Sequence, residues 1–518
     1  MRVRAALPLL LAGALLAACG TVDAGVTATK SRDNSQTPVA TTDDTAPDTT
    51  TTDTTDTTNE PDKPGAPSDT APTEPTITVP DDQDVIDFGD AKTPRDYDGF
   101  LIAAFQDIES FWAQNFPELY GKDFQQLQGG IFAAYPERTT PIPGCQSPQT
   151  KYSDVEGNAF YCSDGDFIVY DDDFLLPELV KSLGQSAVGV VLAHEFGHAI
   201  QARAGELNEP TILKEQQADC FAGAWAAHVA RGEADGLTFG DEEIKLGLVA
   251  MIQVRDPVDG NVNDPNAHGT GFDRVGAFQD GFTGGVERCK PFFTENRKLI
   301  DIQFDPVNDP TGNLPFDNGT EGDDIKTLIP ADLNRFWVQK LQNVDGGFTA
   351  PTLELYPSGG PFPKCDGVDD ADFKANQIFF CASTNEIVVD ENLAQRLSQD
   401  PDFGDMSVGY LIGEAYSEAV QTALKSTLKG KARVLLDDCF TGAWVADDIP
   451  GTDGKASGGG EITLSAGDLD EAIITALQRS DDSTDTNKRG TAFEKIASFR
   501  NGVLNGIDAC RAQINDGG

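Results

Sequence analysis

The segment VGVVLAHEFGHAIQ at residues 188–201 recurs 220 residues later as VGYLIGEAYSEAVQ at 408–421. DCFAGAWAAH at 219–228 recurs 219 residues later as DCFTGAWVAD at 438–447. Two separated matches at nearly one offset read as a tandem duplication, so the chain is expected to fold as two copies of one design. The pairing continues between Phe111-Trp112 and Phe336-Trp337, and between GFTGGVERC and GVLNGIDAC near the ends of the copies. The cysteines follow the same repeat. Cys145 and Cys162 match Cys365 and Cys381, while Cys220 and Cys289 match Cys439 and Cys510. The simplest connectivity closes each pair within its own copy: Cys145–Cys162, Cys220–Cys289, Cys365–Cys381 and Cys439–Cys510. Each short loop so closed would contribute about 3 kcal/mol, and each long one somewhat more.

Inside the first repeat, the run from Ala187 to Ile200 is apolar nearly all round, broken by His194, Glu195, His198 and small residues. That pattern predicts a buried helix. Imidazoles and a carboxylate in such a place are costly unless compensated. His194 and His198 stand four apart, on one helical face, and both can aim a ring nitrogen at one cation. Glu195 is placed to reach a water at that cation without being a ligand. A catalytic zinc needs a third protein ligand and an open fourth position. Glu215, 17 positions after His198 on a second predicted helix, would complete a His-His-Glu set. Asp219, one turn further, would fix the tautomer of one imidazole. Glu206 and Glu209 are rival third ligands in the turn between the helices. A core helix with two hydrogen-bonded histidines is the plainer alternative.

The second copy serves as an internal control. His194 becomes Glu414, Glu195 becomes Ala415, His198 becomes Glu418 and Glu215 becomes Val434. Asp219 is kept as Asp438, and His268 aligns near Lys488 or Arg489. Residues held in both copies read as scaffold, and those confined to the first read as site. Glu414 and Glu418 lack an evident third ligand for a cation of their own. Of the chain's four histidines, His228 lies in an Ala-Trp-Ala-Ala helix and reads as structural. His268 lies in a polar, Gly-flanked loop, either as a group that stabilises an oxyanion or as a surface histidine.

HEFGHAIQ, EQQADCFAGAWA and AHGTGFDRVGAFQDGF, in this order, resemble the bacterial putative neutral zinc metallopeptidases, and more broadly the gluzincin arrangement of HExxH with a distal glutamate. The resemblance covers roughly 92–298. It implies His194, His198 and Glu215 as ligands of one Zn2+, Glu195 as catalytic base, and Asp219 and His268 in supporting roles. It also implies a zincin-like α+β fold, here in tandem, each copy with two disulfides. By analogy with that fold, the strand around Phe167 to Tyr170 is expected to be an edge strand on which an extended substrate pairs.

The chain opens MRVRAALPLLLAGALLAACG, a charged start and a short apolar run ending in a lipobox-like Leu16-Ala17-Ala18-Cys19. The expectation is an exported bacterial lipoprotein, cleaved before Cys19 and anchored through it to the membrane on the extracytoplasmic face. From Gly20 to about Ala91 the composition is Thr, Asp, Pro and Ser, which cannot offset its ordering entropy and predicts a disordered tether. The expected organisation is a signal peptide at 1–18, the lipidated cysteine and linker at 19–91, and a peptidase-like domain at 92–298. A Pro, Gly and Asp-rich linker at 299–327 and a degenerate domain at 328–518 complete it. A formal net charge of −47 excludes nucleic acid as a natural partner. The expected function is hydrolysis of peptide or protein substrates in the envelope. The alternative is a non-catalytic binding or scaffold module.

Overall fold

The computed structural model describes residues 85–516, apart from 259–266, 296, 301, 306–311, 320–321, 345, 452–453 and 481–487. The expected signal peptide, Cys19 and most of the 19–91 linker lie outside the described residues. The end of that linker differs from expectation. Ile86 is buried, and Asp87 forms a parallel bridge with Phe132, its amide donating to Ile131 O at 2.8 Å. Val85 and Ile86 supply apolar side chains that the Thr/Asp tract lacks, so folding begins before Lys92. The described residues belong to one compact unit.

The first half opens with α1 (Asp98–Tyr120), which buries Phe105, Ile108, Phe111 and Trp112 as its periodicity predicts. Next come β1 (Gly130–Ala134), a minimal antiparallel ladder of β2 (Ile142–Pro143) and β3 (Gln149–Thr150), then β4 (Ala159–Cys162) and β5 (Phe167–Asp171). The main sheet has the order β1-β5-β4, with β5 parallel to β1 and antiparallel to β4. β4 and β5 form a hairpin, pairing Cys162 with Phe167. The expected edge strand is not where it was placed. Phe167 to Tyr170 belongs to the central strand, whose hydrogen-bonding groups are used on both sides. β4 is an outer strand of this sheet, as is β1, whose outer side carries only the bridge to Asp87 among the described residues. A run of four buried apolar residues does not tell a central strand from an edge.

Helices α2 (Leu175–Leu183), α3 (Gln185–Ala204), α4 (Thr211–Ala230), α5 (Asp241–Gln253) and α6 (Gly271–Cys289) complete this half. α3 is buried continuously from Ser186 to Gln201 and stops at Gly205, where φ is +90° and the amide donates back to Gln201 O. Close approach of backbones fixes the helix cluster. A Cβ on Gly281 of α6 would stand 1.8 Å from Cys220 O of α4, a contact only glycine permits.

The second half runs α7 (Ile325–Lys340), β6 (Thr352–Tyr356), α8 (Asp370–Asn376), β7 (Ile378–Cys381), β8 (Glu386–Asp390), α9 (Glu391–Gln399), α10 (Gly404–Ala423), α11 (Lys431–Asp448), α12 (Asp468–Gln478) and α13 (Ala492–Asp516). Its sheet order is β6-β8-β7, with β8 parallel to β6 and antiparallel to β7. Trp225 Nε1 donates to Asp107 at 2.8 Å in the first half, and Trp444 Nε1 to Asp332 at 2.6 Å in the second. α6 and α13 each break at a glycine of the same backbone angles, Gly285 and Gly506. The four disulfides join Cys145–Cys162, Cys220–Cys289, Cys365–Cys381 and Cys439–Cys510, the pairs expected from the repeat. Among the described residues, no helix is long and apolar enough to cross a membrane.

Candidate metal centre

α3 carries His194, Glu195 and His198, and α4 carries Glu215 and Asp219; all five are buried. The two helices approach closely because Gly197 faces Ala218, where a Cβ would lie 3.0 Å from Ala218 Cα. That proximity brings Glu215 to the histidines. His194 Nε2 and His198 Nε2 are 3.2 Å apart, Glu215 Oε2 is 3.2 Å from the first and Glu215 Oε1 3.4 Å from the second. Zinc bonds of about 2.0–2.1 Å in tetrahedral directions separate ligand atoms by about 3.3 Å. The spacing fits.

The other ring nitrogens are already engaged. His194 Nδ1 lies 2.7 Å from Asp219 Oδ1, and Arg274 of α6 donates Nε and Nη2 to the two oxygens of that carboxylate at 3.0 and 2.8 Å. His198 Nδ1 lies 2.9 Å from Gln201 Oε1. Gln201 donates its own Nε2 to Lys214 O and Gln217 Oε1, so its oxygen must face the imidazole and accept from it. Both Nε2 atoms are thereby aimed at the space shared with Glu215.

Something positive has to occupy that space. Burial alone would lower the His194 pKa, but the Asp219 and Glu215 carboxylates outweigh it and push the ring up to about 10. Burial would likewise raise the Glu215 carboxyl, yet the His198 and His194 rings hold it well below the usual range. One proton on His194 serves one neighbour only, and Glu215 Oε2 is left buried without a hydrogen bond. A divalent ion would satisfy every converging atom at once. The donor set, two imidazoles and a carboxylate, is one zinc takes.

Glu195 turns towards the sheet. Its Oε2 accepts the Tyr161 amide of β4 at 3.0 Å, while Oε1 is buried with no partner. His268 is 5 % exposed, which removes the surface-histidine reading. Its backbone amide donates to both oxygens of Asp256, its Nδ1 stands 3.3 Å from Asp256 Oδ1, and its Nε2 has no partner. Its neighbour Gly269 abuts α4, where a Cβ would lie 2.9 Å from Ile212 Cδ1, one turn before Glu215. The rival ligands stay outside: Glu206 accepts from Tyr120 Oη at 3.1 Å, and Glu209 is exposed in the turn. His228 bridges Asp107 and Glu233 away from the site, in the structural role expected of it. The sequence reading gave no role to Gln201, Arg274 or Asp256. Gln201 and Arg274 lie inside the recognised segments, but their side-chain partners are set by packing between helices.

The matching region of the second half is a cleft of about 390 Å³ lined in part by Phe379 of β7, Glu414, Glu418, Asp437, Arg479 and Arg489. Glu414 and Glu418 do not form a metal-holding group among the described residues. Lys495 of α13 instead donates to Glu414 Oε1 at 2.9 Å and to both oxygens of Asp438 at 2.8 and 3.0 Å. Glu418 lacks such a partner, and burial pushes its carboxyl up to about 7. A folded pKa above the unfolded value means the folded state prefers the proton, so stability is lost as pH rises from about 4.5 through 7. Glu418→Gln is expected to raise stability by about 1–3 kcal/mol at pH 8 and to change little near pH 4.5, a difference readable in urea titrations at the two pH values. An equal effect at both would mean that the carboxyl does not titrate there.

Residues 82–292 match the model of a family described as putative neutral zinc metallopeptidases. The uncharacterised Escherichia coli K12 protein YpfJ is 30 % identical over 218 residues, covering 37 % of this chain and 70 % of YpfJ. The uncharacterised Mycobacterium tuberculosis H37Rv protein Rv2575 is 30 % identical over 163 residues, covering 26 % of this chain and 56 % of its own length. No solved structure matches the chain at a significant level. The segments of the metal centre and the buried arrangement they build agree with the match over 82–292 and with the likeness to YpfJ: the chain belongs to the putative neutral zinc metallopeptidase family.

Proposed function

We propose that the first half is a zinc peptidase of zincin-like fold, with His194, His198 and Glu215 as ligands of a single Zn2+. The observation that carries this reading is the convergence of four buried ligand atoms at zinc spacing, with each imidazole's other nitrogen already committed. Bound zinc supplies Lewis acidity that makes a water nucleophilic near neutral pH and polarises the scissile carbonyl. Glu195 Oε1, the oxygen without a partner, takes the proton of the attacking water and passes it to the leaving amine, while Oε2 stays anchored on the Tyr161 amide. His268, its Nδ1 held by Asp256, presents Nε2 to the developing oxyanion. Asp219 and Gln201 hold the two imidazoles in register. An extended substrate lies along the outer edge of β4, next to Glu195.

The second half is a duplicated copy in which Lys495, the counterpart of Arg274, binds Glu414 and Asp438 and no ligand set remains, making it a non-catalytic domain. Export and anchoring through a lipid on Cys19 would place the protein on the extracytoplasmic face of the membrane, acting on envelope peptides or proteins.

Metal analysis tests the reading. The purified chain is expected to bind one zinc, and His194→Ala to lose it, since removing one of three ligands weakens such a site by several orders of magnitude. No zinc after reconstitution would leave a binding or scaffold module instead.

A further inference from the structure

The His268 loop of the first half is held from behind by the second half. Asp470, near the start of α12, is 6 % exposed. Its Oδ1 accepts the Phe272 amide at 2.8 Å, its Oδ2 accepts the Gly271 amide at 3.1 Å, and Arg255 Nε lies 3.0 Å from Oδ2. The two amides belong to the first turn of α6, where donors have no partner within the helix. Asp470 thus caps a helix almost two hundred residues away in sequence. The approach is tight at Gly271, where a Cβ would lie 3.1 Å from Asp470 Cγ.

What α6 and Arg255 hold in turn are parts of the centre. Arg255 immediately precedes Asp256, whose carboxylate carries His268 by its amide and its ring, and also accepts the Gly269 amide at 2.8 Å. Arg274, in the same first turns of α6, holds Asp219, which holds His194. One side chain of the second half therefore touches the base of both supports. Adhesion between the halves rests on other contacts as well: Phe272 packs edge-on against Phe499, Gln279 donates to Phe493 O, and Arg500 Nη1 donates to Gln279. Loss of Asp470 alone leaves these in place.

We propose that Asp470 is a positioning residue for the first half's site. It fixes the N-terminus of α6 and the Arg255–Asp256 pair, and through them the His268 ring and the Arg274 guanidinium. The site is thus completed by the copy that has no metal ligands, which explains a use for that copy beyond bulk. This inference rests on the peptidase reading for its catalytic consequence but not for its structural one.

The test compares wild type, Asp470→Ala and Asp470→Asn in the full chain, with and without zinc. Hydrogen–deuterium exchange in the ion-free protein is expected to quicken by about tenfold or more over 268–274 in the alanine variant, with other segments unchanged. In the zinc-loaded protein, kcat on a peptide library should fall by about tenfold or more at little-changed KM, with one zinc still bound. Asp470→Asn, which keeps an acceptor for the Phe272 amide, should fall between; it carries the comparison if the alanine variant does not fold. Unchanged exchange over 268–274, or exchange raised evenly along the whole contact between the halves, would overturn the proposal. If wild type hydrolyses nothing, the peptidase reading fails, and the exchange comparison still decides the role of Asp470.

Discussion

Glu195→Gln is expected to lower kcat by about a thousandfold, roughly 4 kcal/mol of barrier, while the chain keeps its zinc. The side chains have the same shape, and the amide oxygen of glutamine can still accept the Tyr161 N–H that holds Oε2 in the native protein. What glutamine cannot do is take a proton at the second position, now an NH2 group in place of the unpartnered Oε1. The loss therefore isolates the proton transfer from the fold and from metal binding. Peptide hydrolysis and zinc content are measured on the same preparation. Retained turnover would assign the proton to another group, and lost zinc would make Glu195 a ligand. At the position that aligns with Glu195 the second half has Ala415, and Glu414 and Glu418 line its cleft where the first half has histidines.

The His194, His198 and Glu215 cluster and the disulfide pairs were legible in the sequence because both obey constraints that spacing reports. Histidines four apart on a buried helix face one way whatever surrounds them, and cysteines that recur in both copies carry their pairing with them. The supports of the site were not legible. Gln201 reads as scaffold because Gln421 matches it, and in both halves it does tie the helix to a backbone carbonyl of the next one, Lys214 O or Arg433 O. Its second task, accepting from His198, exists only in the first half. Asp470 lies in the second half, where no motif draws attention, and its partners are backbone amides that leave no mark on composition. The position of Phe167 to Tyr170 in mid-sheet depends on β1, some thirty residues earlier, pairing with it in parallel, and strand periodicity is silent about such partners. Pairings that the repeat marks were readable even across some seventy residues; side-chain and strand partners that leave no such mark were not.

Arg274→Met is expected to destabilise the ion-free protein by about 3–5 kcal/mol, because it strands the fully buried Asp219 without its guanidinium. Burial pushes the Asp219 carboxyl up, and in the native chain the Arg274 charge, with His194, overcomes that and holds it low. Without Arg274 the carboxyl must protonate or unfold the site, and a protonated Asp219 orients His194 poorly, so zinc affinity should also fall by about 10–100-fold. Urea titration and competition with a chromophoric chelator read the two effects separately. Arg274→Lys should recover part of both, since Lys495 meets Asp438 in the second half at comparable distance. Charge balance in the two halves explains why the losses should be so large. In the second, the carboxylates of Glu414 and Asp438 meet Lys495, and Arg479 Nε lies 3.4 Å from Glu414, so these two carboxylates are balanced by cations of the chain. In the first, Glu215 and Asp219 face one guanidinium and two imidazoles, which leaves an excess of negative charge for a proton on His194 or a divalent cation to cover. Methionine at 274 doubles that excess. A variant with an unchanged urea midpoint and unchanged chelator competition would show that Arg274 neutralises nothing essential, and the case for a cation among His194, His198 and Glu215 would weaken with it.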